Sequence, residues 1–276
     1  MLVLDFDGTV TDAEEEGKPF CAGYLEDLAA LTDRSLDEIL AMAERFEAEV
    51  AADPDNHGWE YKGAIVAPAS VDPYLRIMPV ARKVFDVCQV FMNPDDRNRL
   101  LDGILYRYNY QKTNVAFRAG AHALLAGLHG IPTYIVTNSH TDPVCNKIRI
   151  LAEGSELDWL LDRVHGRAKK YAIDDSFTDV ARALEVAGLS RPILLRRRAY
   201  HEVLSSLLER EGVDWSQLLV VGDIFELDLA MPLAMGARVG LVINRFTPEY
   251  EKRYVASHER GHLIESLGEI PALLAR

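Results

Sequence analysis

The 276-residue chain is long enough for one large domain, or for one domain with a smaller companion, and it can bury a sizeable core. Apolar residues make up 49% and charged residues 26%, as in an ordinary globular protein that folds without help, and 43 acidic against 30 basic side chains give a net charge of −13, which makes phosphate backbones and anionic membranes poor partners. Cys21, Cys88 and Cys145 are too few and too scattered for a disulfide framework or a zinc site, no run is apolar enough to span a membrane, and no secretory leader precedes the first strand, so a cytoplasmic protein without membrane or nucleic-acid partners is expected.

The chain opens with LVLDFD, an apolar run that reads as a buried strand with Asp5 and Asp7 at its tip and Gly8 and Thr9 directly after. Two carboxylates so close repel each other unless a cation or a shared proton compensates them. From 14 to 115 the strand-like texture gives way to helix signals. SLDEILAMAERFEAEV places Ser35 and Glu38 as a capping box, with Leu36, Ile39, Leu40, Ala43, Phe46 and Val50 on one face and a stop at Asp53-Pro54. A second helical pattern runs from Tyr74 to Val90, and NPDDRNRLLDGILYRY gives a third, with Asn93 or Asp95 near its start. This segment is read as a helical insertion whose two connections emerge at the edge where Asp5 and Asp7 lie.

FRAGAHALLAGLHG (117–130) predicts a helix burying Ala121, Leu124, Leu125 and Leu128, stopped by Gly130 and Pro132. TYIVTNS (133–139) reads as the next buried strand, tipped by Thr137 and Asn138. In the helix after it, Asp142 is the expected cap, Pro143 the first residue, and Val144, Ile148 and Leu151 the buried stripe. DRVHG is a further strand, 171–195 an insertion containing a pair of strands (KKYAI and PILLR), LLVVGD (218–223) a strand tipped by Asp223, and GARVGLVIN (236–244) another strand. The alternation of strands and helices predicts an α/β fold: a Rossmann-like, doubly wound parallel sheet covered on both faces.

Ligands of such sheets bind beyond the carboxyl ends of the strands, so Asp5, Asp7, Thr137, Asn138 and Asp223 should meet in one small volume. Three carboxylates there make a hard oxygen site suited to Mg²⁺, whose shell water and a substrate phosphate oxygen would complete. The ion would relieve the repulsion and let one carboxylate attack phosphorus. A calcium-binding loop fits the opening less well, because Val10 stands where such a loop needs glycine and no helix can precede it. Taken singly, an Asp-x-Asp is often a polar strand end and Asp223 after Gly222 a turn residue; their ordered combination is what carries the argument. His140, His165 and His201 lack metal-ligand spacing and read as surface or packing residues.

DFDGTVTD, TYIVTNS and GDIFELD with the following AMPLAMGARVGLVIN resemble the first, second and fourth motifs of the haloacid dehalogenase-like hydrolase superfamily, in the right order. The resemblance covers most of 1–12, 117–150 and 200–245. It implies a core domain of 1–13 and 116–276 and a helical cap domain of 14–115 that closes over the phosphate site and favours small substrates. It also implies roles. Asp5 would be the nucleophile that forms an aspartyl-phosphate. Asp7 would protonate the leaving oxygen and then activate water, while its backbone carbonyl reaches the metal. Thr137 would hydrogen-bond a phosphoryl oxygen. Gly8, Thr9 and Asn138 would line the substrate site, Gly8 leaving room for the turn and Thr9 supporting it. Asp223 would complete the metal site with Asp5 and Asp7, and Asp228 would orient the ligands from behind.

The third family motif, a lysine or arginine that balances charge on the nucleophile, departs from the usual spacing here. Lys170 is the favoured candidate and Arg197 the second. Family members that act on halides or phosphonates lack an aspartate at the Asp7 position, so its presence favours phosphate esters. The expected activity is a Mg²⁺-dependent phosphatase acting on a small phosphorylated metabolite; the alternatives are a phosphomutase using the same aspartates and a non-catalytic binding protein that keeps the fold.

Overall fold

The computed structural model of the chain describes residues 1–109, 114–152 and 154–275. It forms two compact units, one made of Met1–Asp12, Glu60–Ala67 and Phe117–Arg276, the other of Ala13–Trp59 and Pro68–Ala116.

Ten strands occur among the described residues: β1 (Leu2–Leu4), β2 (Gly58–Tyr61), β3 (Ala64–Pro68), β4 (Thr133–Val136), β5 (Val164–His165), β6 (Ala183–Leu184), β7 (Ile193–Leu194), β8 (Leu219–Gly222), β9 (Arg238–Val242) and β10 (Gly261–Ile264). Six of them form a parallel sheet in the order β10-β9-β8-β1-β4-β5, which puts β1 at its centre. Alternate residues of a strand point to opposite faces, and both faces are covered here, so the strands are apolar throughout. Leu2, Leu4, Ile135, Leu219 and Val221 pack into one core, and Val3, Tyr134, Val136, Val220 and Leu241 into the other.

Register fixes where the polar tips fall. Leu4 pairs with Ile135 on one side and Val221 on the other, so Asp5, Thr137 and Asp223 all lie one or two residues past the same level of the sheet. The insertion leaves from this edge and returns to it: Thr11 and Phe117 form an antiparallel bridge, and Arg118 N donates to Val10 O at 3.0 Å. With its ends pinned together, a long excursion costs the core little loop-closure entropy.

The second unit is built on four helices, α1 (Ala13–Thr32), α2 (Leu36–Ala52), α3 (Pro73–Cys88) and α4 (Pro94–Asn109), around Phe20, Tyr24, Leu28, Ile39, Phe46, Val80, Phe85 and Leu101. Ser35 caps α2 in the reciprocal arrangement with Glu38, and Asn93 Oδ1 accepts from the amides of Asp95 and Asp96 at the start of α4. Leu36 and Leu40, read as part of the buried stripe of α2, are exposed, because Ile39, Ala43, Phe46 and Val50 alone trace the line that faces the core.

Three further readings require correction. The stretch 14–115 is not wholly helical: β2 and β3 form a two-stranded sheet, joined by Lys62 and Gly63 with φ of 51° and 79°. Two successive left-handed residues make the mirror-image turn that suits the twist of paired strands. Glu60–Ala67 of this hairpin belongs to the first unit. In the 171–195 insertion PILLR contributes β7, but its antiparallel partner is β6, not KKYAI. The seven remaining α-helices among the described residues, all in the first unit, are α5 (Ala121–Gly127), α6 (Thr141–Leu151), α7 (Asp158–Leu161), α8 (Arg198–Glu211), α9 (Ala230–Ala234), α10 (Glu249–Ser257) and α11 (Ile270–Leu274). His140 occupies the cap position of α6 without a side-chain hydrogen bond, so Asp142 falls inside the first turn instead of capping it, where its charge still favours the helix N-terminus.

Candidate active site

Asp5 leaves β1 with its backbone still tied to the sheet through Asp5 N to Val221 O at 2.8 Å. The chain then turns sharply. Val10 N and Thr11 N both donate to Phe6 O, Gly8 N donates to Thr11 Oγ1 at 3.1 Å, and Gly8 itself has φ of 84°. Any side chain there would be strained and would run into the Asp223 carboxylate, so glycine is what lets the tips of β1 and β8 approach each other. Thr9 Oγ1 lies 3.4 Å from Asp5 Oδ2 and 3.3 Å from Asp223 Oδ1, a buried hydroxyl between two acids. Arg118 Nε holds Gly8 O at 2.8 Å.

Past β8 the chain enters a π-helical turn, Phe225–Leu229, a wide winding often found at functional sites. It brings Asp228 back beneath Asp223. Gly222 is the second required glycine, since a Cβ there would meet Asp228 Cβ at 2.5 Å. Asp228 Oδ2 accepts from Ile224 N at 3.1 Å, which fixes the turn from within. Asp5, Asp223 and Asp228 are all buried, and each offers an oxygen within 4.8 Å of the others.

Lys170 is the cation of this cluster. Its Nζ lies 2.6 Å from Asp5 Oδ1 and 2.8 Å from Asp228 Oδ1, with the side chain 1% exposed. The loop that delivers it runs through Arg167 and Lys169, both in the left-handed region with φ of 56° and 49°, an unfavourable backbone course of the kind that concentrates at functional sites. Asn138 Oδ1 secures the loop by accepting Lys170 N at 2.7 Å, so this side chain, expected to line the substrate site, positions the lysine. Tyr200 lies under the ammonium, ring centroid 5.4 Å away, and its hydroxyl donates to Asp228 O at 3.0 Å.

Arg197, the alternative cation, is fully buried but points elsewhere. Its guanidinium donates to three backbone carbonyls, Leu194 O at 3.1 Å, Val66 O at 2.9 Å and Lys170 O. Burial lowers its pKa to about 10, with Glu226 and Asp228 acting in the opposite sense, so it stays charged at neutral pH. The second-choice reading, in which Arg197 balances charge on Asp5, is therefore corrected: it splices the hairpin, the 171–195 insertion and the Lys170 loop together within the first unit.

Asp7 stands apart from the cluster. Its side chain is 32% exposed, Thr137 Oγ1 approaches Oδ2 at 3.5 Å, and Lys147 Nζ lies 2.8 Å from Oδ1. Lys147 went unnoticed in the sequence. The one available signal was its place on α6, three residues after Val144 and one before Ile148, at the edge of the buried stripe.

The electrostatics follow from burial. Desolvation dominates at Asp5 and pushes its pKa up to about 7; the Lys170 ammonium opposes this, and the Asp228 and Asp7 carboxylates add to it. At Lys170 burial opposes the charge, but Asp228 and Asp5 outweigh it and raise the pKa, so the ammonium persists. When all three carboxyls are ionised, one ammonium leaves two negative charges uncompensated in a buried site, which is costly unless a cation joins them. The donor set, all carboxylate oxygen with the Thr9 hydroxyl between, fits a small, hard, divalent ion.

Residues 1–236 match the family model described as a haloacid dehalogenase-like hydrolase. The chain belongs to this family. Solved structures of haloacid dehalogenase-like proteins share its fold. A predicted phosphoglycolate phosphatase from Haemophilus somnus 129PT is 12% identical with a TM-score of 0.55, covering 99% of this chain and 96% of its own. The conserved haloacid dehalogenase-like protein Atu0790 of Agrobacterium tumefaciens C58 is 14% identical with a TM-score of 0.52, again over 99% and 96%. The putative hydrolase YfnB of Bacillus subtilis, whose structure was solved bound to magnesium, is 15% identical with a TM-score of 0.51 over 100% and 98%. No curated protein matches the chain.

The two cations should separate on mutation. Lys170→Met should lower kcat by about a hundredfold or more with a modest change in KM if Asp5 is the reacting carboxylate, because the ammonium touches it. Arg197→Met lowers stability by about 3 kcal/mol, since it strands three buried carbonyls, and steady-state kinetics with denaturant unfolding check the pair. Asp5 gives a pH signature. Its pKa rises from 3.8 to about 7 on folding, so its contribution to stability is fully present below 3.8 and lost as pH rises through about 7. A divalent ion needs the ionised carboxylate, so millimolar Mg²⁺ should raise Tm more at about pH 8 than at about pH 6. Thermal unfolding at the two pH values, repeated with Asp5→Asn, reads the difference.

Proposed function

We propose that the chain is a Mg²⁺-dependent phosphatase that hydrolyses a small phosphorylated metabolite through an aspartyl-phosphate on Asp5, with the inserted helical unit serving as its cap. The observation that carries this reading is the buried convergence of Asp5, Asp223 and Asp228, two of them paired with the Lys170 ammonium, with the more exposed Asp7 two residues from Asp5 and outside the cluster.

Asp5 Oδ2 would attack phosphorus while Lys170 holds Oδ1, forming the O–P bond as the ester oxygen departs. Asp7 would donate its proton to that oxygen. In the second half Asp7 would take a proton from water, the water oxygen would bond to phosphorus, and the Asp5–phosphorus bond would break to release inorganic phosphate. Thr137, whose hydroxyl neighbours Asp7, would steady a phosphoryl oxygen, and Lys147 would anchor the Asp7 carboxyl. Asp5, Asp223 and the Asp7 backbone carbonyl would hold Mg²⁺, with Asp228 orienting them through the turn it caps. Bound there, the ion would offset the repulsion between a carboxylate nucleophile and an anionic phosphoryl group. Asp7 supports phosphate esters over halides as substrates, since its role is to protonate and then deprotonate oxygen.

Asp5→Asn should reduce hydrolysis of p-nitrophenyl phosphate by about a thousandfold or more, because an amide is a poor nucleophile and a poor ligand. EDTA should silence the wild-type protein and Mg²⁺ restore it. Phosphate release measured against a panel of phosphorylated metabolites identifies the substrate class. Substantial turnover by the Asn variant excludes the covalent route, and isomerised sugar phosphate without phosphate release makes the protein a mutase.

A further inference from the structure

Between Asp223 and Asp228 the π-helical turn is gripped from outside by a buried polar network that no step above employs. Glu226, the second residue of the turn, is fully buried. Arg191 takes both of its oxygens in a fork, Nη1 to Oε2 at 2.8 Å and Nη2 to Oε1 at 2.7 Å. The Tyr250 hydroxyl donates to Glu226 Oε1 at 2.5 Å. Beside it Glu251, also fully buried, accepts from Phe225 N through Oε2 at 3.2 Å. Arg191 comes from the 171–195 insertion, just ahead of β7, whereas Tyr250 and Glu251 open α10. Two segments remote from each other in sequence therefore fasten the same five-residue turn.

Stability is a poor reason for this construction. Burying two carboxylates and a guanidinium costs several kcal/mol of desolvation each, and apolar side chains of similar volume commonly do as well or better. What charged forks supply is geometry, because a bidentate arginine fixes both the direction and the distance of its partner. Arg191 sits against Glu226 in a two-point fork, while burial and then the neighbouring Glu226 raise the Glu251 pKa well above the usual carboxylate range. The fork and the Glu251–Phe225 hydrogen bond brace the turn from two sides. The demand for bracing is plain: these two aspartates sit with Asp5 in an anionic cluster that tends to spread, and a small octahedral ion tolerates little error in ligand spacing.

We propose that Arg191 and Glu251 are positioning residues for the divalent cation, holding the turn so that Asp223 and Asp228 keep the spacing the ion requires, with the 171–195 insertion acting as the arm that delivers Arg191. The proposal rests on the Mg²⁺-dependent reading above and deepens it.

The test uses the full chain and Mn²⁺ as the probe. Free Mn²⁺ is followed by electron paramagnetic resonance in titrations of wild type, Arg191→Met, Arg191→Lys, Glu251→Leu and Glu251→Gln, with folding of each variant checked by its unfolding curve. Removing partners that orient metal ligands commonly weakens affinity by about 10–100-fold. Arg191→Met and Glu251→Leu should fall in that range and show faster amide exchange across 222–229. Arg191→Lys, which keeps the charge but not the fork, should recover part of the loss, and Glu251→Gln, which keeps the acceptor for Phe225 N, should stay near wild type. At saturating Mg²⁺ the substrate KM should hardly move. Folded Arg191→Met and Glu251→Leu proteins that bind Mn²⁺ within twofold of wild type overturn the inference and leave the phosphatase standing. A wild-type protein that neither binds Mn²⁺ nor hydrolyses phosphate esters overturns the functional reading beneath it.

Discussion

Three buried carboxylates crowd together at the edge of a parallel sheet with one ammonium, which touches Asp5 and Asp228, and the local architecture is arranged around that imbalance. The sheet creates it, since the register of β1 with β4 and β8 puts the tips at one level. Two glycines permit it: a Cβ at Gly8 or Gly222 would push Asp223 or Asp228 away. Lys170 tempers it, delivered by a loop with two left-handed residues and pinned by Asn138. Charge in low dielectric is expensive, so a fold that gathers it in one place and then supports it on every side has a use for the field it makes.

The support is layered. Lys170 and Thr9 touch the carboxylates themselves. Behind them Tyr200 holds the Asp228 carbonyl, Arg197 gathers three carbonyls, and the Arg191–Glu226 fork holds the turn between the two acidic tips. Lys147 serves the separate Asp7. Each cation thus has its own task, and only one lies against the carboxylate read as the nucleophile.

Much of this was legible in the sequence, and the reason is periodicity. Buried parallel strands are apolar on both faces, so LVLDFD, TYIVTNS and LLVVGD show as runs with polar tips, and the rule that ligands gather at strand ends brings those tips together. Ser35 and Glu38 are local and could be read directly. What stayed hidden depends on contacts between segments distant in sequence. Nothing near Arg197 shows that its partners are Leu194, Val66 and Lys170 carbonyls, so Arg197 stands in the sequence as the second candidate behind Lys170. Lys147 reaches Asp7 across 140 residues. The hairpin stays hidden because its strands are partly exposed and lack the continuous buried apolar run of β1, β4 and β8, although Lys62-Gly63 is a recognisable turn, and β6 and β10 share that half-buried character.

The central claim is that the acidic tips hold one divalent ion. Diffraction from crystals grown with Mn²⁺, recorded where that metal scatters anomalously, tests it most directly. The account predicts a single strong peak coordinated by oxygens of Asp5 and Asp223 and by the Asp7 carbonyl, about 2.1–2.3 Å from each. An anomalous map that is blank there at millimolar Mn²⁺, or that puts the metal on other residues, contradicts it.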